Sequence, residues 1–283
     1  MNQKLDSAAW YRSGNALYRA GQYDDAIARY DRVLATQIDL YEVWSYRGYA
    51  LERLGRYQEA LASFDQAIKI NPEYSLAWHG KGIVMAKLGQ YGEAVHSLGR
   101  TVRLNPRDLK AWYNYGNALE RLDRYQEALN SFNRVLELSP RDYKAWYHRS
   151  KALSNLGQLY EALASIDQAL VIKPGCYYAW NFQGMIMRRL GRYEEAIESF
   201  DQALRSKPNN PDAWYNKARC YALLGRSDLA MNYLQRAIKL KPTLYRALAK
   251  IDSDFHLFVN HPTFQHLTQP RDTIIEIPTV QSA

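Results

Sequence analysis

The chain has 283 residues, a hydrophobic fraction of 47% and a formal net charge of +8 at pH 7. This hydrophobic content is enough for a packed structure and excludes the intrinsically disordered class. The basic excess favours acidic partners only weakly, and an ordinary solvated surface is the preferred interpretation.

The tryptophans show how the chain is organised. All seven lie on one series, each 34 residues after the last: Trp10, Trp44, Trp78, Trp112, Trp146, Trp180 and Trp214. A fixed period of this length indicates one supersecondary unit copied along the chain. Each copy buries its apolar face against its neighbours, so the stack is expected to form a long surface rather than a catalytic pocket.

After an N-terminal extension, 1–6, the series sets seven repeats: 7–40, 41–74, 75–108, 109–142, 143–176, 177–210 and 211–244. Each repeat carries two apolar stripes with helical spacing, which predict two helices of about a dozen residues. A glycine, or Asp123 in the fourth repeat, separates the stripes, as expected where a helix ends in the left-handed conformation. Positions are counted from the first residue of each repeat, so that the tryptophan is position 4. Six repeats carry a proline at position 32, before which the second helix is expected to end.

Small residues recur where the helices are expected to pack. Position 8 is glycine in five repeats, and position 20 is alanine in all seven. Small side chains allow neighbouring helices to approach closely, and bulky residues at position 24, such as Phe132, are expected to fill the space beyond.

The repeat pattern changes after residue 244. Residues 245–268 are expected to form capping helices that cover the last apolar face. The predicted cap residues are Asp254, Phe255, Leu257, Phe258, Phe264 and Leu267. Residues 269–283 are expected to form a flexible tail.

The pattern W-x3-G, then Y-x2-A-x3-F-x2-A and a proline, resembles the tetratricopeptide repeat over residues 7–244. The resemblance implies an all-α, right-handed superhelical solenoid that acts as a non-catalytic scaffold or adaptor. Position 7, often leucine in this family, departs from the pattern: it is Ser13, Arg47, Lys81, Tyr115, Arg149, Gln183 and Lys217. Long basic side chains there can cover apolar surface while their charged ends reach water.

In the proteins that this chain resembles, positions 2, 5, 9, 12 and 13 of the first helices line a concave groove. The resemblance therefore predicts a partner-binding groove with two sets of residues. Position 13 contributes a basic ladder of Arg19, Arg53, Lys87, Arg121 and Arg189, and the other candidates are Lys110, Lys144, Tyr113, Tyr147 and Asn117. Such side chains suit an extended, acidic peptide, but they are equally typical of a polar helix surface.

Some members of this family bind the C-terminal carboxylate of chaperones through five residues. In the best register only Asn114 and Lys144 match that pattern, while His79, Ile83 and His148 replace the other three. Two matches of five argue against a co-chaperone.

The third repeat, 75–108, contains five of the fifteen glycines, and Gly80, Gly92 and Gly99 lie off the motif. Two interpretations remain open: sequence drift in a tolerant repeat, or a side-chain pocket that Gly80 opens beside the groove. A softer joint at this repeat is a related hypothesis, because glycine destabilises helices.

No catalytic, cofactor or metal constellation is predicted. His256, His261 and His266 are five residues apart, whereas helical metal ligands favour i, i+4 spacing. Cys176 and Cys220 lack disulfide-framework spacing, which favours a reducing compartment. With no signal-peptide or membrane-spanning run in the sequence, we expect a cytoplasmic protein.

The sequence therefore favours a scaffold that binds a protein or peptide segment in its groove. The alternative is a basic solenoid that binds a polyanion such as RNA. The acidic residues interspersed throughout the chain argue against that alternative.

Overall fold

The computed structural model describes residues 2–269, and their regular structure is entirely helical. The chain divides into two compact parts, which we name the N-terminal block, up to Gln158, and the C-terminal block, from Leu159. Within residues 2–269 no helix is both long and apolar enough to cross a membrane.

Nine helices occupy the N-terminal block. They are α1 (Asn2–Arg19), α2 (Tyr23–Leu34), α3 (Tyr41–Arg53), α4 (Tyr57–Ile70), α5 (Ser75–Lys87), α6 (Tyr91–Leu104), α7 (Leu109–Glu120), α8 (Tyr125–Leu138) and α9 (Tyr143–Asn155). Odd-numbered helices are the first helices of the predicted repeats, and even-numbered helices are the second.

The described part of the C-terminal block continues this alternation. Its helices are α10 (Leu159–Ile172), α11 (Tyr177–Arg189), α12 (Tyr193–Ser206), α13 (Pro211–Leu223), α14 (Ser227–Leu240), α15 (Pro242–Ile251), a short 3-10 helix (Ser253–Phe258) and α16 (Pro262–Thr268). The all-α class and the tandem helix pairs predicted from the sequence are thus confirmed.

The turn from first to second helix has the same geometry along the chain. In the second repeat, Gly55 has φ +76°. Its N–H donates to the Glu52 carbonyl at 3.1 Å, and the Arg56 N–H donates to the Leu51 carbonyl at 2.9 Å. This pair of bonds closes a helix end in the left-handed conformation that glycine adopts without strain. Asp123 takes the same position with φ 58°, the one positive φ of a non-glycine among the described residues.

Glycine at position 8 lies directly against the bulky residue at position 24 of its own repeat. A Cβ added at Gly48 would lie 2.7 Å from Phe64 Cε1, and one at Gly116 would lie 2.8 Å from Phe132 Cε1. The alanines at position 20 are all completely buried. These contacts explain the small-residue columns, because a larger side chain at either position would overpack the core.

Gly80 serves packing as well, and the hypothesis of a side-chain pocket beside it is wrong. A Cβ at this position would lie 2.3 Å from both Cε1 and Cζ of Phe64, which belongs to the preceding repeat. The Phe64 ring already fills the space that the missing side chain leaves, and Gly80 is buried.

Side chains at position 7 join consecutive repeats through position 25 of the repeat before. Arg47 Nε lies 2.6 Å from Asp31 Oδ1, and Lys81 Nζ lies 2.7 Å from Asp65 Oδ1. The same link recurs as Arg149 to Asn133 (2.8 Å), Gln183 to Asp167 (2.7 Å) and Lys217 to Asp201 (2.5 Å). At the remaining N-terminal junction, Tyr115 instead packs over Gly99. At these five junctions, the polar residue that replaces leucine at position 7 connects its repeat to the preceding one.

From the second repeat onward, the tryptophan at position 4 ties the first helix to the turn before it. Trp78 Nε1 donates to the Pro72 carbonyl at 2.8 Å, and Trp112 Nε1 donates to the Pro106 carbonyl at 3.0 Å. Proline has no N–H of its own, but its carbonyl remains available as an acceptor. In the third to seventh repeats, the tryptophan and the proline of the turn before it are thus partners in one hydrogen bond, and Trp44 makes the same bond to the Ile38 carbonyl.

The C-terminal helices cover the last repeat as predicted, with one exception. Phe255, Phe258 and Phe264 are buried, whereas Leu257, predicted as a cap residue, is 74% exposed. A 3-10 helix has three residues per turn, so Phe255 and Phe258 share one side and Leu257 faces away. Apart from Gln269, the predicted tail, 269–283, lies outside the described residues.

Candidate functional site

A cleft of about 370 Å³ lies on the first helices of the third, fourth and fifth repeats, within the N-terminal block. Three of the predicted groove residues meet there: Lys110, Tyr113 and Lys144. The remaining lining is formed by His79, Ile83, Leu109, Asn114 and Asp142. The cleft therefore combines apolar side chains with cations and amide or ring nitrogen groups.

Tyr113 is held in the wall of this cleft by aromatic neighbours. Its ring centroid lies 6.0 Å from that of Phe132 and 5.3 Å from that of His148, both in edge-to-face geometry. Burial raises the pKa of Tyr113 to about 12, so the phenol keeps its proton at neutral pH. The Tyr113 hydroxyl is thus a hydrogen-bond donor beside the cleft.

His79 and Asn114 are fixed by a chain of hydrogen bonds. Tyr49 Oη donates its single proton to the Leu76 carbonyl at 2.9 Å, so the contact of 3.4 Å with His79 Nδ1 requires a proton on that nitrogen. His79 Nε2 is then the acceptor for Asn114 Nδ2 at 3.2 Å. Burial, together with the nearby Lys110, lowers the pKa of His79. The imidazole is consequently neutral and holds the amide of Asn114 in one orientation.

Two ammonium groups stand at the edge of the cleft. Lys110 and Lys144 are exposed, and neither forms an ion pair with a residue of the described range. The one carboxylate of the lining, Asp142, caps α9: its Oδ1 accepts from the backbone N–H of Lys144 at 2.9 Å and of Ala145 at 3.1 Å. The cations therefore remain available to an acidic ligand.

The basic residues at position 13 are exposed, and three of them contact the preceding repeat. Arg53 Nε donates to Tyr23 Oη at 3.1 Å, Arg121 Nε donates to Tyr91 Oη at 3.1 Å, and Lys87 pairs with the largely buried Glu52. Arg19 is exposed in α1, and Arg189 is exposed in the C-terminal block. The structure thus holds the ladder side chains of repeats two to four against their own chain and does not bring them into the cleft.

Asn117 and Tyr147 lie beside the cleft, near a cluster in which a carboxylate and an ammonium group balance each other's charge. Both are half-buried, and the Tyr147 ring centroid is 5.9 Å from Lys151 Nζ. Glu120 Oε2 lies 3.1 Å from Lys151 Nζ and 3.0 Å from His148 Nδ1. Glu120, which the sequence analysis did not single out, gives this neighbouring surface a carboxylate and makes it less suited to an acidic ligand.

A second cleft of the N-terminal block, about 310 Å³, lies at its first two repeats. Glu42 lines this cleft, and no lysine or arginine whose side chain the structure describes does. Its electrostatic character is therefore opposite to that of the cleft at Lys110 and Lys144.

In the C-terminal block, the same face of the first helices contacts an acidic segment of the chain itself. Asp252 Oδ2 accepts from Tyr215 Oη at 2.8 Å, and Arg219 Nε lies 2.9 Å from Asp252 Oδ2 and 2.8 Å from Asp254 Oδ2. Arg188 Nη1 donates to Asp254 Oδ2 at 2.9 Å. Tyr215, Arg219 and Arg188 occupy positions 5, 9 and 12, which are groove positions in the family that the sequence resembles.

Comparison with known proteins agrees with this architecture. A family model described as tetratricopeptide repeat matches residues 11–75, 80–143, 116–177, 149–211 and 183–245, and a second model of the same description matches 63–96. No curated protein sequence matches the chain at a significant level.

Solved structures show the same fold. A tetratricopeptide repeat protein from Cytophaga hutchinsonii has a TM-score of 0.68 at 16% identity and covers 86% of this chain and 99% of its own. One from Parabacteroides merdae has a TM-score of 0.63 at 14% identity, with coverages of 87% and 98%. YrrB, described as a TPR protein with an unusual peptide-binding site, has a TM-score of 0.54 at 23% identity, with coverages of 66% and 98%. Because the family models match most of the chain, this protein belongs to the tetratricopeptide repeat family.

Proposed function

We propose that the protein is a non-catalytic scaffold that binds an acidic segment of a partner protein in the cleft at Lys110, Tyr113 and Lys144. The observation that carries this proposal is a cleft that combines an apolar lining with two ammonium groups, neither of which forms an ion pair within the described part of the chain. The ammonium groups suit carboxylates, and Ile83, Leu109 and the Tyr113 ring suit one apolar side chain between them.

The C-terminal segment of the chain supports this choice of ligand. There, the sequence Asp-Ser-Asp-Phe at 252–255 contacts the first helices through two carboxylates and the buried ring of Phe255. It is an intramolecular example of an acidic segment with an apolar anchor on this face. YrrB, a TPR protein with an unusual peptide-binding site, is a structural neighbour in keeping with a peptide ligand.

The test measures binding of a fluorescein-labelled eight-residue peptide centred on Asp-Ser-Asp-Phe by fluorescence anisotropy. We expect saturable binding by the intact chain and at least tenfold weaker binding by the double variant Lys110→Glu/Lys144→Glu. Both substitutions lie in the first turn of a helix, where glutamate is compatible with the helix dipole, so the fold should persist.

A matched control separates a local effect from a change in net charge. Lys69→Glu/Arg103→Glu makes the same change in charge in the last turns of α4 and α6, and should keep the parent affinity. The polyanion alternative is tested with single-stranded poly(U). Binding of poly(U) with a steep salt dependence, and no binding of the peptide, would replace the proposal with a nucleic-acid function.

A further inference from the structure

A cleft of about 650 Å³ in the C-terminal block lies between α14, α15 and α16. Arg236 and Lys239 on α14, Arg246 on α15 and His266 on α16 line it, together with the amides of Asn232 and Gln235. None of its lining residues belongs to the proposed peptide site. Its volume is in the range of sites for small molecules and cofactors.

The electrostatic character of this cleft is uniformly basic. No aspartate or glutamate lines it, and Arg236, Lys239 and Arg246 form no ion pair with any residue between 2 and 269. Three like charges around one cleft repel each other, and an anion placed among them would relieve that repulsion.

Comparison with the other repeats shows that acids are absent from α14 where earlier repeats carry them. Position 29, where Lys239 lies, is basic in the second, third and sixth repeats as well, and only the fourth repeat has an acid there, Glu137, which pairs with Arg134. Position 25 is aspartate in four repeats and Gln235 here, and position 19 is acidic in all six preceding repeats and Leu229 here. At positions 19 and 25, α14 therefore carries neutral residues where most second helices of the earlier repeats carry acids.

Two of the guanidinium groups are held in place. Arg236 Cζ lies 4.8 Å from the Trp214 ring centroid and 5.6 Å from that of Tyr233. Arg246 Nε donates to the Leu267 carbonyl at 3.2 Å. Among residues 2–269, the terminal nitrogens of both side chains have no hydrogen-bond or ion-pair partner. Holding the groups in advance lowers the entropy cost of binding.

We propose that this cleft binds the phosphate group of a small phosphorylated ligand. Two guanidinium groups provide planar, paired donors that match phosphate oxygens, and Lys239 and the amides of Asn232 and Gln235 provide further donors. A free phosphorylated molecule and a phosphorylated lipid headgroup share this chemistry.

The test uses inorganic pyrophosphate as the probe and isothermal titration calorimetry on the intact chain. We expect saturable binding that weakens at least tenfold in Arg236→Gln/Arg246→Gln. The matched control is Arg100→Gln/Arg134→Gln: both residues share the repeat position of Arg236, and Arg100 stacks on Trp78 at 5.8 Å as Arg236 does on Trp214. The control should bind as the parent does, and circular dichroism checks that both variants are helical.

Sedimentation with vesicles containing phosphatidylinositol phosphate identifies the source of the phosphate. Vesicle binding that requires Arg236 and Arg246 would assign a lipid headgroup. Binding of pyrophosphate without binding of the vesicles would assign a soluble ligand. Absence of saturable binding of both probes, or equal binding by the two double variants, would overturn the proposal. It would also be overturned if the Asp-Ser-Asp-Phe peptide, but not pyrophosphate, required these two arginines.

Discussion

Lys81 Nζ lies 2.7 Å from Asp65 Oδ1 of the preceding repeat, with the lysine side chain 20% and the aspartate side chain 53% exposed. The same two repeat positions are linked at four other junctions, so this contact is a general connection between repeats. Because the aspartate is largely exposed, we expect a coupling energy of about 0.5–1 kcal/mol.

A double-mutant cycle with Asp65→Asn and Lys81→Met tests this contact. The coupling should decrease at 1 M salt, where exposed charges are screened. The swapped pair Asp65→Lys/Lys81→Asp should recover part of the stability that Asp65→Lys alone loses. A coupling of zero in low salt, measured by urea unfolding, would show that the contact does not stabilise the junction.

Gly80→Ala should destabilise the protein, because the new Cβ would lie 2.3 Å from the Phe64 ring. Overpacking of this kind costs about 1–3 kcal/mol. Phe64→Leu removes the ring, so Gly80→Ala should cost much less in that background. Gly92→Ala is the control: nothing lies within 4 Å of its added Cβ, and alanine in a helix should stabilise by about 0.5–1 kcal/mol. A loss of stability in Gly92→Ala, or none in Gly80→Ala, would contradict the packing described for these positions.

Asp123→Gly tests the turn of the fourth repeat. Asp123 has φ 58°, whereas the equivalent residues at six other turns are glycines with positive φ. Glycine adopts a positive φ without strain, so the substitution should raise the free energy of unfolding by up to about 1 kcal/mol. Loss of the hydrogen bond from Tyr125 Oη to Asp123 Oδ1 should offset part of this gain. Tyr125→Phe measures that bond separately. If Asp123→Gly is destabilising even in the Tyr125→Phe background, the left-handed strain is not significant.

His79 should make stability depend on pH. Burial, and secondarily Lys110, lower its folded-state pKa below the ordinary value of 6.5, while Asp108 opposes the shift. The unfolded chain therefore binds the proton first as pH falls through 6.5, and stability contributed by the neutral imidazole is lost below that pH. His79→Phe should lose less stability than the parent between pH 7.5 and 5, and the two curves should run parallel above pH 7.5. Parallel curves over the whole range would mean that the neutral, hydrogen-bonded His79 is wrongly assigned.

The fold was accessible from the sequence because the repeat supplies many copies of each signal. Seven tryptophans fix the register of the repeats. The turn at Gly55 and the packing of Phe64 against glycine could be predicted because similar residues recur at the same positions of other repeats. The polar links at position 7 were not predicted, because their partners lie 16 residues earlier in the preceding repeat, and the helical period does not show which residues meet across a junction between repeats. Leu257 was misassigned because apolar character alone does not show which side of a short 3-10 helix faces the core.

The candidate site was harder to predict from the sequence than the fold. Lys110, Tyr113 and Lys144 were named by repeat position, but that position does not show which side chains their neighbours already bind. Arg53 and Arg121 contact tyrosines of the preceding repeat, and His79 contributes through hydrogen bonds to residues 30 and 35 positions away. Such contacts between repeats depend on packing geometry and not on a local pattern.

A charge-swap experiment tests the central claim, that Lys110 and Lys144 receive the carboxylates of a peptide. Two peptides, centred on Asp-Ser-Asp-Phe and on Lys-Ser-Lys-Phe, are titrated against the parent chain and against Lys110→Glu/Lys144→Glu. We predict that the parent prefers the acidic peptide and the double variant prefers the basic one, because the sign of the charge at the cleft is reversed. If the parent and the double variant bind the acidic peptide with the same affinity, the cleft at Lys110, Tyr113 and Lys144 is not the binding site.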